Sequence, residues 1–268
     1  MSAVARPCFV RAGERRLFCV EHPARGQPEA ALLLCPPMLN EYPTSLRLFA
    51  LLGEALAQRG IHVLRFDYHG TGDSSGDGTA FSLAGARSDT ESMLAYLRSR
   101  APDAPTLLMG VRAGVLPASA IAARHGLPLV AWDPVVDGAA LALELRRLDA
   151  RARACHLTFP LIGRRREMPQ LGEAMMGFRL AARCIGELEA TRAQPCRDAL
   201  VLSRDGAVPA LGARQDSLAL PAVLANWPGK IGIEGVFPPG VVDELAQALA
   251  ERLPRPAARR PVLQAVAT

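Results

Sequence analysis

Lysine is nearly missing from this chain. Its 31 Lys and Arg residues outnumber 26 Asp and Glu to leave a net charge of +5, and Lys230 is the only lysine, so arginine carries the excess. Aromatic residues are also few, at 5%. A nucleic-acid surface needs clustered basic residues with aromatics interleaved for stacking. Here arginine is scattered and aromatics are sparse, so no nucleic-acid partner is expected. No apolar run reaches the roughly 18–20 residues of a membrane span. Met1 to Cys8 lack the apolar stretch of a secretory signal, so a cytoplasmic location is expected. The cysteines, at positions 8, 19, 35, 155, 184 and 196, form no Cys-x-x-Cys pair. Reduced thiols, with no metal site and no cofactor, are the expectation. What the chain does have is apolar material: 50% of 268 residues, enough for a large α/β core. Its richness in Ala, Arg, Leu and Pro fits a GC-rich bacterial genome.

Phe9–Ala12 and Leu17–His22 read as two short strands turning at Gly13-Glu14. Ala30–Cys35 is an uninterrupted apolar run, the pattern of a strand buried on both faces. Thr44–Arg59 has helical spacing (Leu48, Leu51, Leu52, Ala55, Leu56) and stops at Gly60. His62–Phe66 is a strand, Asp67–Gly78 a loop of Gly, Asp and Ser, and Leu83–Arg100 a helix. Thr106–Met109 is a strand, Ala113–Arg124 a helix of small residues, and Leu127–Trp132 a strand. This alternation predicts an α/β fold with a mostly parallel, doubly wound sheet. It breaks after Asp133. Gly138–Gln194 is largely helical and has the size of a cap inserted over the sheet. Alternation resumes with Ala199–Ser203 as a strand and Val208–Leu218 as a helix. Lys230–Ile233 reads as the last strand and Val241–Leu253 as the last helix. The predicted organisation is a core from 1–137 and 195–254, a helical cap at 138–194 and a flexible tail at 255–268.

Ligands of doubly wound sheets bind beyond the carboxyl ends of the strands. The first core strand delivers Cys35-Pro36-Pro37-Met38-Leu39-Asn40-Glu41-Tyr42. The prolines have no N–H, so an amide that stabilises an oxyanion must come from Met38 or later. Cys35 is a candidate thiol nucleophile; its plain alternative is a small buried side chain. Glu41 is placed to pair with Arg112 or Arg47. The second strand delivers Asp67 to Gly76, whose glycines, acids and serines suit a tight turn. It lacks the Gly-Lys-Ser/Thr ending of a phosphate-binding loop. The third delivers Gly110-Val111-Arg112-Ala113-Gly114. A strand, then Gly-x-Ser-x-Gly, then a helix is the nucleophile elbow. The central residue here is arginine, always cationic and with no lone pair to attack a carbonyl. The fourth strand delivers Asp133, an acid or a counter-ion for Arg112. Downstream, Asp205 stands three residues before Val208-Pro209, the spacing of a triad acid, although a helix cap uses it equally well. The order Ser, Asp, His would close with a histidine, and Gly232 to Pro239 holds none. Of the five histidines, His69 and His156 (the latter beside Cys155) are the two within reach of such a site.

The elbow, the loop Arg65 to Ser74 and Asp205 together resemble the α/β-hydrolase superfamily, in its serine-aminopeptidase-like branch, over roughly Ala30 to Leu253. A narrower set is similar to the bacterial exosortase A system-associated hydrolase 2 group, which also carries Arg at the elbow. That set is Cys35-Pro36-Pro37, Asn40-Glu41-Tyr42, Gly-x-Arg-x-Gly and Trp132-Asp133-Pro134-Val135-Val136. The resemblance implies an α/β-hydrolase fold with a helical cap insertion, and a link to exopolysaccharide or cell-envelope export.

Three functions follow as expectations. The first is a hydrolase with a degenerate triad, in which Arg112 heads a helix and clamps a small acyl or anionic ligand. Met38, Glu41, Ala113, Asp133 and His69 would surround that ligand, with Asp205 as the retained acid. The second is a rebuilt hydrolase or acyltransferase with Cys35 as nucleophile and His69 or His156 as base. The third is a partner-binding scaffold using the cap residues Arg146, Arg147, Arg151, Arg153, Arg164 to Arg166, Met175 and Met176.

Overall fold

The computed structural model describes residues 4–154, 174–175, 177–204, 208–225 and 237–254. Strands β1 (Arg6–Ala12) and β2 (Arg15–His22) form an antiparallel hairpin. Then come β3 (Ala30–Cys35), α1 (Glu41–Ala57), β4 (Ile61–Phe66), α2 (Leu83–Arg100), β5 (Thr106–Val111), α3 (Val115–His125) and β6 (Leu129–Trp132). Between β6 and the next sheet strand lie α4 (Gly138–Ala154), the short hairpin β7 (Ala174–Met175) and β8 (Phe178–Arg179), and α5 (Ala182–Glu189). The described elements end with β9 (Cys196–Ser203), β10 (Gly212–Ala219), α6 (Ala222–Ala225) and α7 (Pro239–Ala250).

The main sheet has the order β1-β2-β4-β3-β5-β6-β9-β10. β2 runs antiparallel to β4, and every pairing from β4 to β10 is parallel. Strand periodicity splits the core in two. Ala31, Leu33 and Cys35 point to the face covered by α2, α3, α4 and α5, whereas Ala30, Leu32 and Leu34 point to the face covered by α1 and α7. The whole of β3 is buried, as its apolar run requires. α1 begins three residues before the predicted Thr44 because Pro43 falls in its first turn, where no intrahelical N–H is needed. Ser82 caps α2, its hydroxyl accepting from the Gly85 amide at 3.0 Å.

One predicted element changes type. Val208–Leu218 carries no strand alternation and reads as a helix, but Gly212–Ala219 is a strand that pairs in parallel with β9, from Gly212 opposite Cys196 to Ala219 opposite Ser203. β10 lies at the sheet edge with most of its residues exposed. Its polar sequence is therefore not patterned by a core, and pairing with β9 overrides local propensity. Lys230–Ile233 and the tail from Arg255 lie outside the described residues. No helix among the described residues is long and apolar enough to cross a membrane.

Candidate active site at the elbow

β5 delivers Val111, and Arg112–Gly114 then form a single 3-10 turn that leads into α3. The turn is tight for a steric reason. A Cβ on Gly110 would lie 2.6 Å from the Cα of Val115, and one on Gly114 would fall on the carbonyl oxygens of Cys35 and Pro36. Gly114→Ala is expected to cost about 1–3 kcal/mol of stability, the usual penalty of overpacking, as measured by urea denaturation. Arg112 itself has φ +51, a left-handed conformation that a side chain rarely adopts. Two more non-glycine residues nearby share this region, Leu39 at φ +55 and Asp133 at φ +41.

The Arg112 guanidinium does not open to solvent; the residue is 9% exposed. Its Nε donates to Glu41 Oε1 at 3.1 Å. Its Nη1 donates to the Asp133 backbone oxygen at 3.1 Å and to Asp133 Oδ2 at 3.2 Å. Arg204, just beyond β9, reaches the same Asp133 Oδ2 through Nε at 2.9 Å. The four side chains form a quartet of two cations and two carboxylates, linked in the order Glu41, Arg112, Asp133, Arg204. Burial raises the pKa of the Glu41 carboxyl in spite of the opposing pull of Arg112. The backbone locks the same spot: the Asp133 amide donates to Leu202 O at 2.7 Å and the Val135 amide to Arg112 O at 3.2 Å. Of the two expectations for Arg112, an open anion clamp or an internal pair, the geometry favours the pair, with Nε and Nη1 held by Glu41 and Asp133.

Cys35 is fully buried, with its sulfur 3.9 Å from Thr90 Oγ1. Burial pushes its thiol up to about 12. The nucleophile of a cysteine enzyme is the thiolate, and full burial against Thr90 favours the plain alternative, Cys35 as a small buried side chain. His69 sits in the Gly-rich loop with Nδ1 at 3.3 Å from Ser75 Oγ, and its backbone amide donates to Asp89 at 2.8 Å. Asp67 is a turn organiser: it accepts from the Tyr42 hydroxyl at 2.5 Å and from the Asp73 amide at 2.9 Å. Ser74 is buried, donates to Asp67 O at 2.7 Å and accepts from the Phe18 amide at 2.9 Å. Ala113 is buried within the elbow turn. Asp205, His156 and Met176 lie outside the described residues.

A cavity of about 270 Å³ adjoins the first turn of α1, where Tyr42 lines it. Pro37 to Leu39 form one wall, Gly70 to Gly72 a second, and Gly177 to Leu180 of the β7–β8 hairpin the third. Met38, expected as an oxyanion donor, lines this cavity. Arg204 and the hairpin wall escaped the sequence reading. Arg204 follows a strand without any motif, and Phe178 has no periodic neighbour to mark it.

A mostly parallel sheet of this order, with a strained strand-to-helix turn at its carboxyl edge, defines an α/β-hydrolase-fold protein. Residues 26–170 match the serine aminopeptidase, S33, family, and the chain belongs to that family. Among solved structures, it is similar to Est1E from Butyrivibrio proteoclasticus with ferulic acid bound (15% identity, 91% of this chain and 96% of that one, TM-score 0.61). It is also similar to the hypothetical protein PA2218 from Pseudomonas aeruginosa (13% identity, 94% of each chain, TM-score 0.61). A third is alpha/beta hydrolase domain-containing protein 10 from mouse (16% identity, 92% of this chain and 97% of that one, TM-score 0.58). Identities this low speak to the fold alone. No curated protein matches the chain.

Proposed function

We propose that this chain is a hydrolase-fold protein without serine hydrolase chemistry, which binds a small acyl group in the cavity between the Gly-rich loop and the β7–β8 hairpin. The observation that carries the reading is the quartet. Where the elbow of a serine hydrolase presents a hydroxyl, this chain holds a guanidinium paired to Glu41 and Asp133. Such a group has no lone pair for nucleophilic attack. The absence of histidine from Gly232 to Pro239 in the sequence supports the same conclusion. Of the acidic or acyl ligand expected, the acyl half is favoured. The cavity walls include Met38, Leu39, Phe81, Phe178 and Leu180, and Arg112 is not among the residues that line it. The motifs shared with the exosortase-associated group support a place in exopolysaccharide or cell-envelope metabolism.

Octanoate is the probe. It is expected to bind saturably and to raise the unfolding midpoint with concentration, as a ligand selective for the native state must. Met38→Trp, which fills the cavity, should remove that shift. A fluorophosphonate should leave the protein unlabelled. A labelled serine would defeat the non-hydrolytic reading, and the lack of saturable octanoate binding would defeat the acyl ligand.

A further inference from the structure

Sequence spacing leaves Cys8 and Cys19 unpaired, but the β1–β2 hairpin sets them directly opposite each other. Their sulfurs are 3.0 Å apart. Opposed residues of an antiparallel pair have Cα atoms about 4.5–5.5 Å apart, inside the range that a disulfide bridges. Cys19 is fully buried and Cys8 is half-buried, so a small oxidant meets Cys8 first. Of the other described cysteines, Cys35 is engaged with Thr90 and Cys196 with the carbonyls of Ser119 and Gln194, while Cys184 is buried in the core.

We propose that Cys8 and Cys19 are a reversible modification site, oxidised together by a peroxide to an intrachain disulfide. Cys8 sulfur takes one peroxide oxygen, giving a sulfenic acid and releasing water from hydrogen peroxide. Cys19 sulfur then attacks Cys8 sulfur, and the sulfenic oxygen leaves as a second water with the Cys19 proton. Two thiols lose two electrons and two protons, and one peroxide is reduced to two waters. Burial, with the Cys8 sulfur beside it, raises the pKa of the Cys19 thiol, which agrees with Cys8 being oxidised first, and the 3.0 Å contact sets Cys19 to resolve it. The position ties the site to the rest of the molecule. Three residues before Cys19, the Arg16 amide donates to Ser75 Oγ at 2.9 Å and Arg16 O accepts from the Ser75 amide at 2.9 Å. The Phe18 amide holds Ser74 in the same way. A covalent staple at Cys19 therefore stiffens the strand that grips the Gly-rich loop, one wall of the cavity.

The test uses the full chain, first reduced and then exposed to hydrogen peroxide, alkylated, and digested with trypsin without reductant. Residues 1–11 and 17–25 should appear as one linked peptide that lacks two hydrogens and separates on reduction. The unfolding midpoint should rise on oxidation by on the order of 5 °C, as for a short cross-linked loop. That rise should be absent in Cys8→Ser and kept in Cys196→Ser. Recovery of Cys8 as sulfinic or sulfonic acid with Cys19 still alkylated overturns the proposal, and so does recovery of both as free thiols. The peptide readout needs no variant, so a poorly folding Cys8→Ser does not shield the proposal.

Discussion

Arg112→Met is expected to destabilise the protein by about 3–5 kcal/mol, the usual consequence of removing one partner from a buried ion pair. For a chain of this size that is a fall in unfolding midpoint on the order of 10 °C. Glu41 and Asp133 would be left in a site where neither can readily hydrate, their side chains being 12% and 15% exposed. Asp133 keeps Arg204, so the heavier loss falls on Glu41. The double variant Arg112→Met, Glu41→Gln should recover much of the loss, because Asp133 keeps Arg204 and no uncompensated charge remains. Arg112→Lys should fall between them, since an ammonium lacks the planar fork that serves two carboxylates at once. Urea denaturation of the four proteins at neutral pH is the measurement. If Arg112→Met were as stable as the parent, the quartet would hold nothing together.

Acid should weaken the fold through His22. This residue is 2% exposed, between β2 and α1, where Gly53 leaves room for its ring. Its Nε2 accepts from Arg65 Nε at 3.0 Å, which requires a neutral ring. Burial, with Arg65 nearby, lowers its pKa from 6.5 to about 4. Between those values the unfolded chain binds a proton that the native state refuses. Stability therefore holds above about pH 6.5 and falls as pH drops toward 4, by roughly 3 kcal/mol at 1.36 kcal/mol per pKa unit. The buried His62 is shifted in the same direction. Glu41 and Asp67, raised by burial, work the other way, because the native state holds their protons more tightly. Comparing the parent with His22→Gln at pH 7 and pH 4.5 isolates the His22 contribution. Equal acid sensitivity in the two proteins would remove it.

The parts of this fold written in side-chain pattern could be read directly. The apolar run Ala30–Cys35 has no polar residue to present to water, so it had to be a strand covered on both faces. Leu83–Arg100 has a cap in Ser82 and kept its predicted bounds. β10 carries no such pattern, because both its faces are largely exposed and only the hydrogen bonds of β9 define it. The site divides in the same way. Glu41 and Asp133 were named as counter-ions because each follows the carboxyl end of a strand next to β5. Arg204 was not, although it shares an oxygen with Arg112. Two side chains take positions that no motif records. Cys35 ends β3 inside the core rather than at the mouth of the sheet, and Arg112 turns inward to acids instead of outward to a ligand. The Cys8–Cys19 contact depends on hairpin register, which the turn at Gly13-Glu14 sets and cysteine spacing alone does not.

The quartet also bears on how this basic protein responds to salt. Arg112 and Arg204 are offset by Glu41 and Asp133, so the elbow presents no net charge to a distant ion. Mobile ions screen exposed pairs within about 8–10 Å of solution at moderate ionic strength and reach buried ones far less. Raising the salt concentration should therefore weaken surface bridges such as Arg214 with Asp198, the arginine largely open to water and the aspartate partly so, while leaving the elbow clamped. The excess positive charge that the chain carries into solution is therefore not supplied by these four side chains, whose charges cancel.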